Sequence, residues 1–340
     1  MQWIDFPDDR FVVNGLAWWD ETRPQLIRLP ERYRERVPQS VWGLAQSPSG
    51  GRIRFRTDAT ALGIRARFPH LGHMNNMPRT AQLGLDLWVD GEYWRPVFPT
   101  TDEHDLETIC FEGHEPKPRE ICMYLGLYGP VELQAIGLSE GASIEPPTPF
   151  AVERPVVYYG SSITQGGCAT RAGMSYQAIV SRRLNLDFVN LGFSGAGRGE
   201  PELAEAVAEI DASCFVMDWC QNCPMLEELA ERYQPFLAII RAAHPHTPII
   251  CITAIFSTSE VLSAEARQPA MREIIREAVE ARQALGDGNI ALVEGYDLLG
   301  PFNRDGLVDQ SHPNDIGFTG MADGLQPILR EALGLLPAPH

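Results

Sequence analysis

The sequence predicts two domains, an all-β sandwich over residues 1–148 and an α/β domain with a five-stranded parallel sheet over residues 149–340. First, a chain of 340 residues is long for a single hydrophobic core. Second, alternating polarity dominates the first part, whereas short buried strands alternate with helical patterns in the second. Third, residues 141–149 between them contain Pro146, Pro147 and Pro149, which is typical of a linker.

The first domain is predicted from short segments with a period of two. The stretch Arg52–Arg56 alternates strictly between charged and apolar side chains, as a half-buried strand does. Asp90 and Gly91 form a hairpin-turn pair between two such segments. Strands are predicted over residues 52–56, 62–68, 83–89, 92–94, 120–127 and 131–138. This spacing favours a sandwich or jelly roll.

The second domain is predicted from strands that alternate with helices. Short apolar runs predict strands over residues 156–159, 188–191, 214–217, 249–254 and 290–293. Helical periodicity covers residues 172–184, 200–209, 225–243, 264–285 and 316–333. This order of elements is typical of a parallel, doubly wound sheet.

Composition excludes several classes of function. The formal net charge of −17 argues against nucleic acid or an anionic membrane as a partner. Lys117 is the only lysine, which disfavours Schiff-base or Walker-type chemistry. Seven cysteines without framework spacing predict reduced thiols.

The N-terminus lacks a signal-peptide pattern and no apolar run reaches about 18 residues, so we expect no membrane span and a cytoplasmic location. The sequence is compatible with a homo-oligomer.

Reactive side chains follow several of the predicted strands. The first strand ends in Gly160-Ser161-Ser162, the second runs into Asn190–Gly197, and the third into Asp218–Asn222. Asp309-Gln310-Ser311-His312 precedes the last helix. Because the carboxyl ends of parallel strands meet at one edge of the sheet, we expect these groups to lie close together.

Ser162 is the candidate nucleophile and His312 its candidate base. His244 and His246 lie in a helix-to-strand connection, which belongs at the opposite edge of the sheet, and His340 is terminal. Asp309, three residues before His312, can accept from one ring nitrogen and fix the tautomer. Acyl transfer also needs donors for an oxyanion, and the backbone N–H groups of Ser162 and Gly195 and the side chain of Asn222 can supply them.

Three rival patterns carry less weight. Ser194 lies in Gly192-Phe193-Ser194-Gly195-Ala196, which fails the nucleophile-elbow pattern at Ala196. The glycines over residues 195–199 have the wrong spacing for a dinucleotide loop. Cys220 and Cys223 lack the two further ligands of a structural zinc site, so we expect them to line a loop. No metal or cofactor is predicted.

These blocks resemble the SGNH (GDSL-like) hydrolase superfamily. Gly160-Ser161-Ser162-Ile163 is similar to its first block, with Ser161 in place of the usual aspartate, and Gly195, Asn222 and Asp309-x-x-His312 are similar to the other three. The resemblance implies a flavodoxin-like three-layer catalytic domain, a triad of Ser162, Asp309 and His312, and an oxyanion hole of Ser162, Gly195 and Asn222. Gly84-Leu85-Asp86-Leu87-Trp88 resembles the Gly-x-Asp-Leu-Tyr motif of a β domain found in one branch.

The sequence thus predicts a serine esterase that needs no metal or cofactor. Its expected substrate is a small-molecule short-chain ester, acetyl first, of a carbohydrate or similar alcohol. The alternatives are a lipid or thioester hydrolase and a non-catalytic carbohydrate-binding protein. Six of the seven tryptophans precede residue 148, and their rings either stack on sugars or pack in the protein core. His73, in the polar loop over residues 69–78, and Gln165 are predicted substrate-binding residues.

Overall fold

The chain forms two compact units in a computed structural model that describes residues 1–336. Residues 337–340, the end of the predicted second domain, lie outside the described residues. The first unit comprises Met1–Arg34, Trp42–Phe150 and Thr170–Gly173, and the second comprises Glu35–Val41, Ala151–Ala169 and the chain from Met174 onward. The predicted boundary between residues 148 and 149 does not include two exchanged segments. Thr170–Gly173 lies after the boundary but belongs to the first unit, and Glu35–Val41 lies before it but belongs to the second.

The first unit contains two antiparallel sheets. Its strands, in chain order, are β1 (Gln2–Asp5), β2 (Val12–Asn14), β3 (Arg52–Thr57), β4 (Leu62–Arg67), β5 (Leu85–Val89), β6 (Glu92–Val97), β7 (Asp105–Phe111), β8 (Arg119–Tyr124) and β9 (Glu132–Leu138). One sheet has the order β1-β9-β4-β7, and the other has the order β2-β3-β8-β5-β6. The strands β1, β2 and β7 were not predicted from the sequence.

A shared core joins the two sheets into a sandwich. Ile53 and Phe55 of β3 and Ile64 of β4 have no exposed surface and belong to one apolar cluster. The alternation of β3 therefore sets its inward face as predicted. Its outward arginines are less exposed than expected: Arg52 donates to the Gly50 carbonyl and Arg54 to the Thr148 carbonyl.

Short helices accompany this part of the chain. They are α1 (Trp19–Thr22), α2 (Gln39–Ala45) and α3 (Arg79–Gln82), with a 3-10 turn at Glu31–Tyr33. None of them was predicted, because elements of three to seven residues are too short to show a helical period.

Asp86 of β5 ties the segment Thr170–Gly173 into the first unit. Its buried Oδ2 accepts hydrogen bonds from Arg171 at 3.0 Å, from the backbone N–H of Gly173 at 2.8 Å and from the indole of Trp88 at 3.3 Å. The Arg171 guanidinium also lies 3.8 Å from the ring centroid of Tyr93. The aspartate of the Gly-x-Asp-Leu motif is thus a structural anchor for this segment.

The second unit is a five-stranded parallel sheet with helices. Its strands are β10 (Val152–Gly160), β11 (Leu186–Gly192), β12 (Cys214–Asp218), β13 (Ile249–Ile252) and β14 (Ile290–Val293), and their spatial order is β11-β10-β12-β13-β14. This order is that of flavodoxin-like folds, in which the strand order reverses beside the first strand. The predicted fold class is confirmed: a flavodoxin-like α/β unit follows an all-β sandwich.

The helices of the second unit largely follow the predicted periods. They are α4 (Ser162–Gln165), α5 (Tyr176–Leu184), α6 (Pro201–Ala208), α7 (Leu226–Ala243), α8 (Ser259–Leu262), α9 (Gln268–Ala284), α10 (Gly295–Leu298) and α11 (Asp315–Ala332). There are also 3-10 turns at Cys220–Asn222 and Arg304–Gly306, and a further one at Ala172–Met174 begins in the segment that belongs to the first unit. The helix α4 was not predicted, and it places Ser162 at the start of a helical turn.

Two global expectations can be compared with this structure. None of the seven cysteines forms a disulfide. Across residues 1–336, no helix has the combination of length and apolar composition that crossing a membrane requires.

Candidate active site

The turn after β10 positions Ser162. Gly160 pairs with Gly192 of β11 and with Asp218 of β12. A Cβ atom at Gly160 would lie 1.8 Å from Thr164 Oγ1 and 2.7 Å from the Asp218 carbonyl oxygen, so only glycine fits between these strands. Ser161 then caps α4, because its Oγ accepts a hydrogen bond from the Ile163 N–H at 3.2 Å.

The structure brings the three predicted triad residues into contact. Ser162 Oγ lies 2.8 Å from His312 Nε2. His312 Nδ1 lies 2.9 Å from Asp309 Oδ2 and 3.0 Å from Asp309 Oδ1. The side chains of His312 and Asp309 are 28% and 37% exposed, so the dyad is open to solvent on one side. These distances are those of a nucleophile, a base and a group that orients the base.

The surroundings of Asp309 favour its charged form. Burial would raise the pKa of this carboxyl, but the backbone N–H groups of Ser311 and His312 and the imidazole outweigh it, and the pKa is lowered from its ordinary value. The two N–H groups donate to Oδ1 at 3.0 and 2.9 Å. A carboxylate held in this way can accept the Nδ1–H of His312 and leave Nε2 free of a proton.

Gly195 and Asn222 also lie together, in an arrangement that the sequence did not predict. The N–H of Gly195 donates to Asn222 Oδ1 at 2.9 Å. Asn222 Nδ2 donates to the carbonyls of Phe193 at 2.8 Å and Gly197 at 2.7 Å. Gly195 has a φ of 64°, a left-handed conformation that favours glycine. Gly195 is therefore hydrogen-bonded to Asn222, and Asn222 to two carbonyls of the loop after β11, so donation by either group to an oxyanion stays a prediction.

The predicted substrate-binding residues have different surroundings. Gln165 has no exposed surface, and its Oε1 accepts from the Ser194 N–H at 3.0 Å. A side chain without exposed surface does not touch a substrate in this conformation, so we assign Gln165 to the support of the Ser194 loop. His73 is exposed in the first unit, on the loop between β4 and α3, and its substrate-binding role stays a prediction.

A buried acid lies under the nucleophile turn. Asp218 Oδ2 accepts hydrogen bonds from Thr164 Oγ1 at 3.0 Å and from Tyr176 OH at 3.1 Å. Burial raises the pKa of Asp218 to about 7, although both hydroxyl donors act to lower it. The sequence indicates Asp218 only as the end of a predicted strand. The signal in the sequence was an acidic residue at the last position of an apolar strand, because a carboxyl group is seldom buried without hydrogen-bond partners.

Comparison with known proteins places the chain in a family. The family model of GDSL-like lipases and acylhydrolases matches residues 153–330. A second model, described as the N-terminus of SGNH-hydrolase-type esterases and named for the GxDLY motif, matches residues 1–144. None of the curated proteins compared with the chain matches it. The first model covers more than half of the chain, which therefore belongs to the GDSL-like lipase/acylhydrolase family and is a serine esterase of the SGNH type.

Solved structures agree with this assignment. A protein described as a GDSL-like lipase from Bacteroides ovatus shares 30% identity over 98% of both chains, with a TM-score of 0.88. The salicylyl-acyltransferase SsfX3 from a tetracycline biosynthetic pathway shares 22% identity over 99% of both chains, with a TM-score of 0.82. Est2A, an acetyl xylan esterase from the rumen bacterium Butyrivibrio proteoclasticus, is 12% identical over 99% of this chain and 100% of its own, with a TM-score of 0.68.

Proposed function

We propose that this esterase hydrolyses short-chain esters, acetyl esters first, of a carbohydrate or a similar small alcohol through an acyl-serine intermediate. The observation that carries the proposal is the continuous hydrogen-bonded line from Ser162 Oγ through His312 to Asp309, with separations of 2.8 and 2.9 Å. In this reaction His312 Nε2 takes the Ser162 proton while Oγ attacks the ester carbonyl.

The same imidazole serves both halves of the reaction. His312 gives its proton to the departing alcohol, which leaves the acyl group on Ser162. It then removes a proton from the water that attacks the acyl-enzyme and returns it to Ser162 Oγ as the bond from the acyl carbon to this oxygen breaks and the acid leaves. The carboxylate of Asp309 stabilises the imidazolium each time. The N–H groups of Ser162 and Gly195 and the amide of Asn222 are the proposed donors to the oxyanion.

The identity of the substrate, an acetyl ester of a carbohydrate, is proposed from a structural similarity and an exposed aromatic ring. The likeness to an acetyl xylan esterase over nearly the whole of both chains extends to the fold, and it makes acetylated sugars the first substrates to test. In the first unit, the ring of Trp94 is 44% exposed, whereas Trp18, Trp42 and Trp88 are buried. An exposed indole provides the apolar face on which a sugar ring can stack.

Acyl transfer to a second alcohol is the other candidate function. It is favoured by the similarity to a salicylyl-acyltransferase, whose TM-score of 0.82 exceeds the 0.68 of the acetyl xylan esterase. The two reactions share the acyl-serine intermediate and differ in whether water or an acceptor hydroxyl attacks it. A rise in product formation and a new ester upon addition of an acceptor alcohol would distinguish transfer from hydrolysis.

The test compares the purified protein with its Ser162→Ala variant. We expect release of p-nitrophenol from its acetate ester to fall by about 10⁴-fold or more in the variant. Ser194→Ala is the matched control, because Ser194 lies in a neighbouring loop and should leave turnover near that of the wild type. Equal turnover in Ser162→Ala and wild type would contradict the proposal.

A substrate panel tests the finer part of the proposal. Esters of one alcohol with acyl chains of two to twelve carbons are compared by kcat/KM, together with acetylated mono- and oligosaccharides. We expect kcat/KM to be highest for acetyl and to fall as the chain lengthens. If kcat/KM is instead highest for long acyl chains or for thioesters, the protein is a lipid or thioester hydrolase and the proposed carbohydrate substrate is wrong.

A further inference from the structure

A cysteine lies beside the base and the acid of the triad. One ligand atom each from Cys168, Asp309 and His312 lies within 4.8 Å of the other two. Cys168 is 3% exposed, and it belongs to the turn that follows α4, six residues after Ser162. The proposed ester hydrolysis gives this thiol no part, although it is next to two of the three groups that carry the reaction.

The backbone at Cys168 is held in an unusual conformation. Only three residues other than glycine have a positive φ among residues 1–336: Asp90, Cys168 and Asn185, and the φ of Cys168 is 74°. Aspartate and asparagine adopt this region several times more often than other residues, whereas cysteine has no such preference. The conformation costs about 1–3 kcal/mol, which a glycine at this position would avoid. The fold thus holds the Cys168 thiol next to Asp309 and His312 at a local cost in backbone conformational energy.

We propose that Cys168, Asp309 and His312 form a binding site for a thiophilic divalent cation of the zinc class, and that occupation of this site inhibits the esterase. The inference goes beyond the proposed function. It rests on that function only for the inhibition, because binding of the ion can be measured without any substrate.

The distances allow three-point coordination after small movements. Ligand atoms bound to one tetrahedral Zn²⁺ lie about 3.3–3.6 Å apart, given bonds of about 2.0–2.3 Å. The Asp309 carboxylate and His312 Nδ1 are already 2.9 Å apart and would have to separate slightly. The sulfur lies at most 4.8 Å from its two partners and would have to approach each of them by no more than about 1.5 Å. The exposed faces of Asp309 and His312 give the ion a path from solvent.

The donor set selects the class of ion. Thiolate, imidazole and carboxylate together suit Zn²⁺ and its thiophilic neighbours, whereas Mg²⁺ and Ca²⁺ prefer oxygen ligands alone. The charges also balance, since one thiolate and one carboxylate neutralise a divalent ion. Burial and the charge of Asp309 raise the pKa of Cys168 to about 12, so the bound thiolate forms only as its proton is released to the solvent.

Coordination would stop the triad whichever ring nitrogen of His312 binds. An ion on Nε2 takes the lone pair that accepts the Ser162 proton. An ion on Nδ1 displaces the hydrogen bond to Asp309 and leaves the ring proton on Nε2, so that this nitrogen can no longer act as a base. In both cases the ion removes the base without touching Ser162.

The first experiment measures binding without substrate. Co²⁺ serves as a spectroscopic probe, because a thiolate ligand produces a charge-transfer absorption band. We expect the band in the wild type and in Cys122→Ser, the control for a thiol far away in sequence on β8. We expect it to be lost in Cys168→Ser and in Cys168→Gly, the second of which also removes the backbone strain and so guards against misfolding. No band in the wild type, or a band that persists in both Cys168 variants, would overturn the site.

The second experiment measures inhibition, with each variant compared with its own rate in the absence of metal. We expect Zn²⁺ to inhibit the wild type and Cys122→Ser, Mg²⁺ and Ca²⁺ to have no effect, and a chelator to restore activity. The Zn²⁺ concentration for half inhibition should rise at least tenfold in both Cys168 variants; an unchanged concentration would contradict the inference. If the protein hydrolyses no ester at all, the proposed function fails, while the cobalt spectrum still decides the site.

Discussion

The N–H of Gly195 donates to Oδ1 of Asn222 at 2.9 Å, so two groups predicted to hold a substrate oxyanion are bonded to each other. Both N–H bonds of the Asn222 amide are also used, by the carbonyls of Phe193 and Gly197. Donation to an oxyanion therefore requires these hydrogen bonds to be shared or exchanged when substrate binds. Asn222 organises the loop after β11 and is a candidate catalytic donor at the same time.

The variant Asn222→Asp tests the side-chain amide as a donor. Aspartate keeps an oxygen acceptor for the Gly195 N–H but has no N–H to offer an oxyanion or the carbonyls of Phe193 and Gly197. We expect kcat/KM for p-nitrophenyl acetate to fall by about 10²–10³-fold, the usual effect of removing one oxyanion donor. Asn222→Ala, which removes the acceptor as well, should lose at least as much and should also lower the melting temperature. Near wild-type kinetics in Asn222→Asp would show that catalysis needs no donation from the Asn222 amide.

The Asp309→Asn variant tests the orientation of His312. The carboxylate now accepts from His312 Nδ1 at 2.9 Å and from two backbone N–H groups. An amide can present an N–H to Nδ1 and so favour the tautomer with its proton on Nε2. We expect kcat to fall by about 10³–10⁴-fold with little change in KM. A variant that raised KM at constant kcat would instead place Asp309 in substrate binding.

Asp86→Asn tests the anchor of the Thr170–Gly173 segment. The Asp86 side chain is fully buried and that of Arg171 is 21% exposed, so the variant breaks a largely desolvated ion pair. We expect the free energy of unfolding to fall by about 2–4 kcal/mol in urea titrations. Asp102→Asn is the matched control, since the Asp102–Arg79 pair at 3.3 Å has an aspartate that is 91% exposed and should contribute less than about 1 kcal/mol. Equal losses in the two variants would contradict the anchoring role.

The sequence could predict the triad because topology alone brings the carboxyl ends of parallel strands together. Ser162 follows β10, an inner strand of the sheet, and the three-residue spacing of Asp309 and His312 lets one side chain orient the other. The fold class follows from periods that extend over many residues. The strands β1 and β2 are too short for such a period, and β7, which does alternate in part, was missed.

The sequence could not predict the hydrogen-bond partner of each polar side chain. Gln165 follows the nucleophile closely and yet is buried against Ser194, because its direction depends on the turn and not on its place in the chain. The positive φ of Cys168 and the pairing of Asp86 with Arg171 are likewise products of the packed structure. Hydrogen-bond direction and backbone strain arise from tertiary contacts, which a single sequence does not display.

Asp218 should make the stability of the protein depend on pH. Burial raises its pKa from 3.8 to about 7 in the folded state, whereas the unfolded chain keeps a value near 3.8. Between these values the folded state binds more protons than the unfolded state, so the free energy of unfolding falls as pH rises through this window. Each unit of pKa difference corresponds to about 1.4 kcal/mol, so the full loss between the two pKa values is roughly 4 kcal/mol.

The variant Asp218→Asn isolates this contribution. Asparagine can still accept from Thr164 and Tyr176 and carries no titrating proton. In urea titrations at pH 5, 6, 7 and 8, we expect the variant to gain stability relative to the wild type as pH rises, by up to a few kcal/mol in total. Other titrating groups, including Asp86, are present in both proteins and cancel in the difference. A difference that stays constant from pH 5 to 8 would show that Asp218 has the same protonation in the folded and unfolded states.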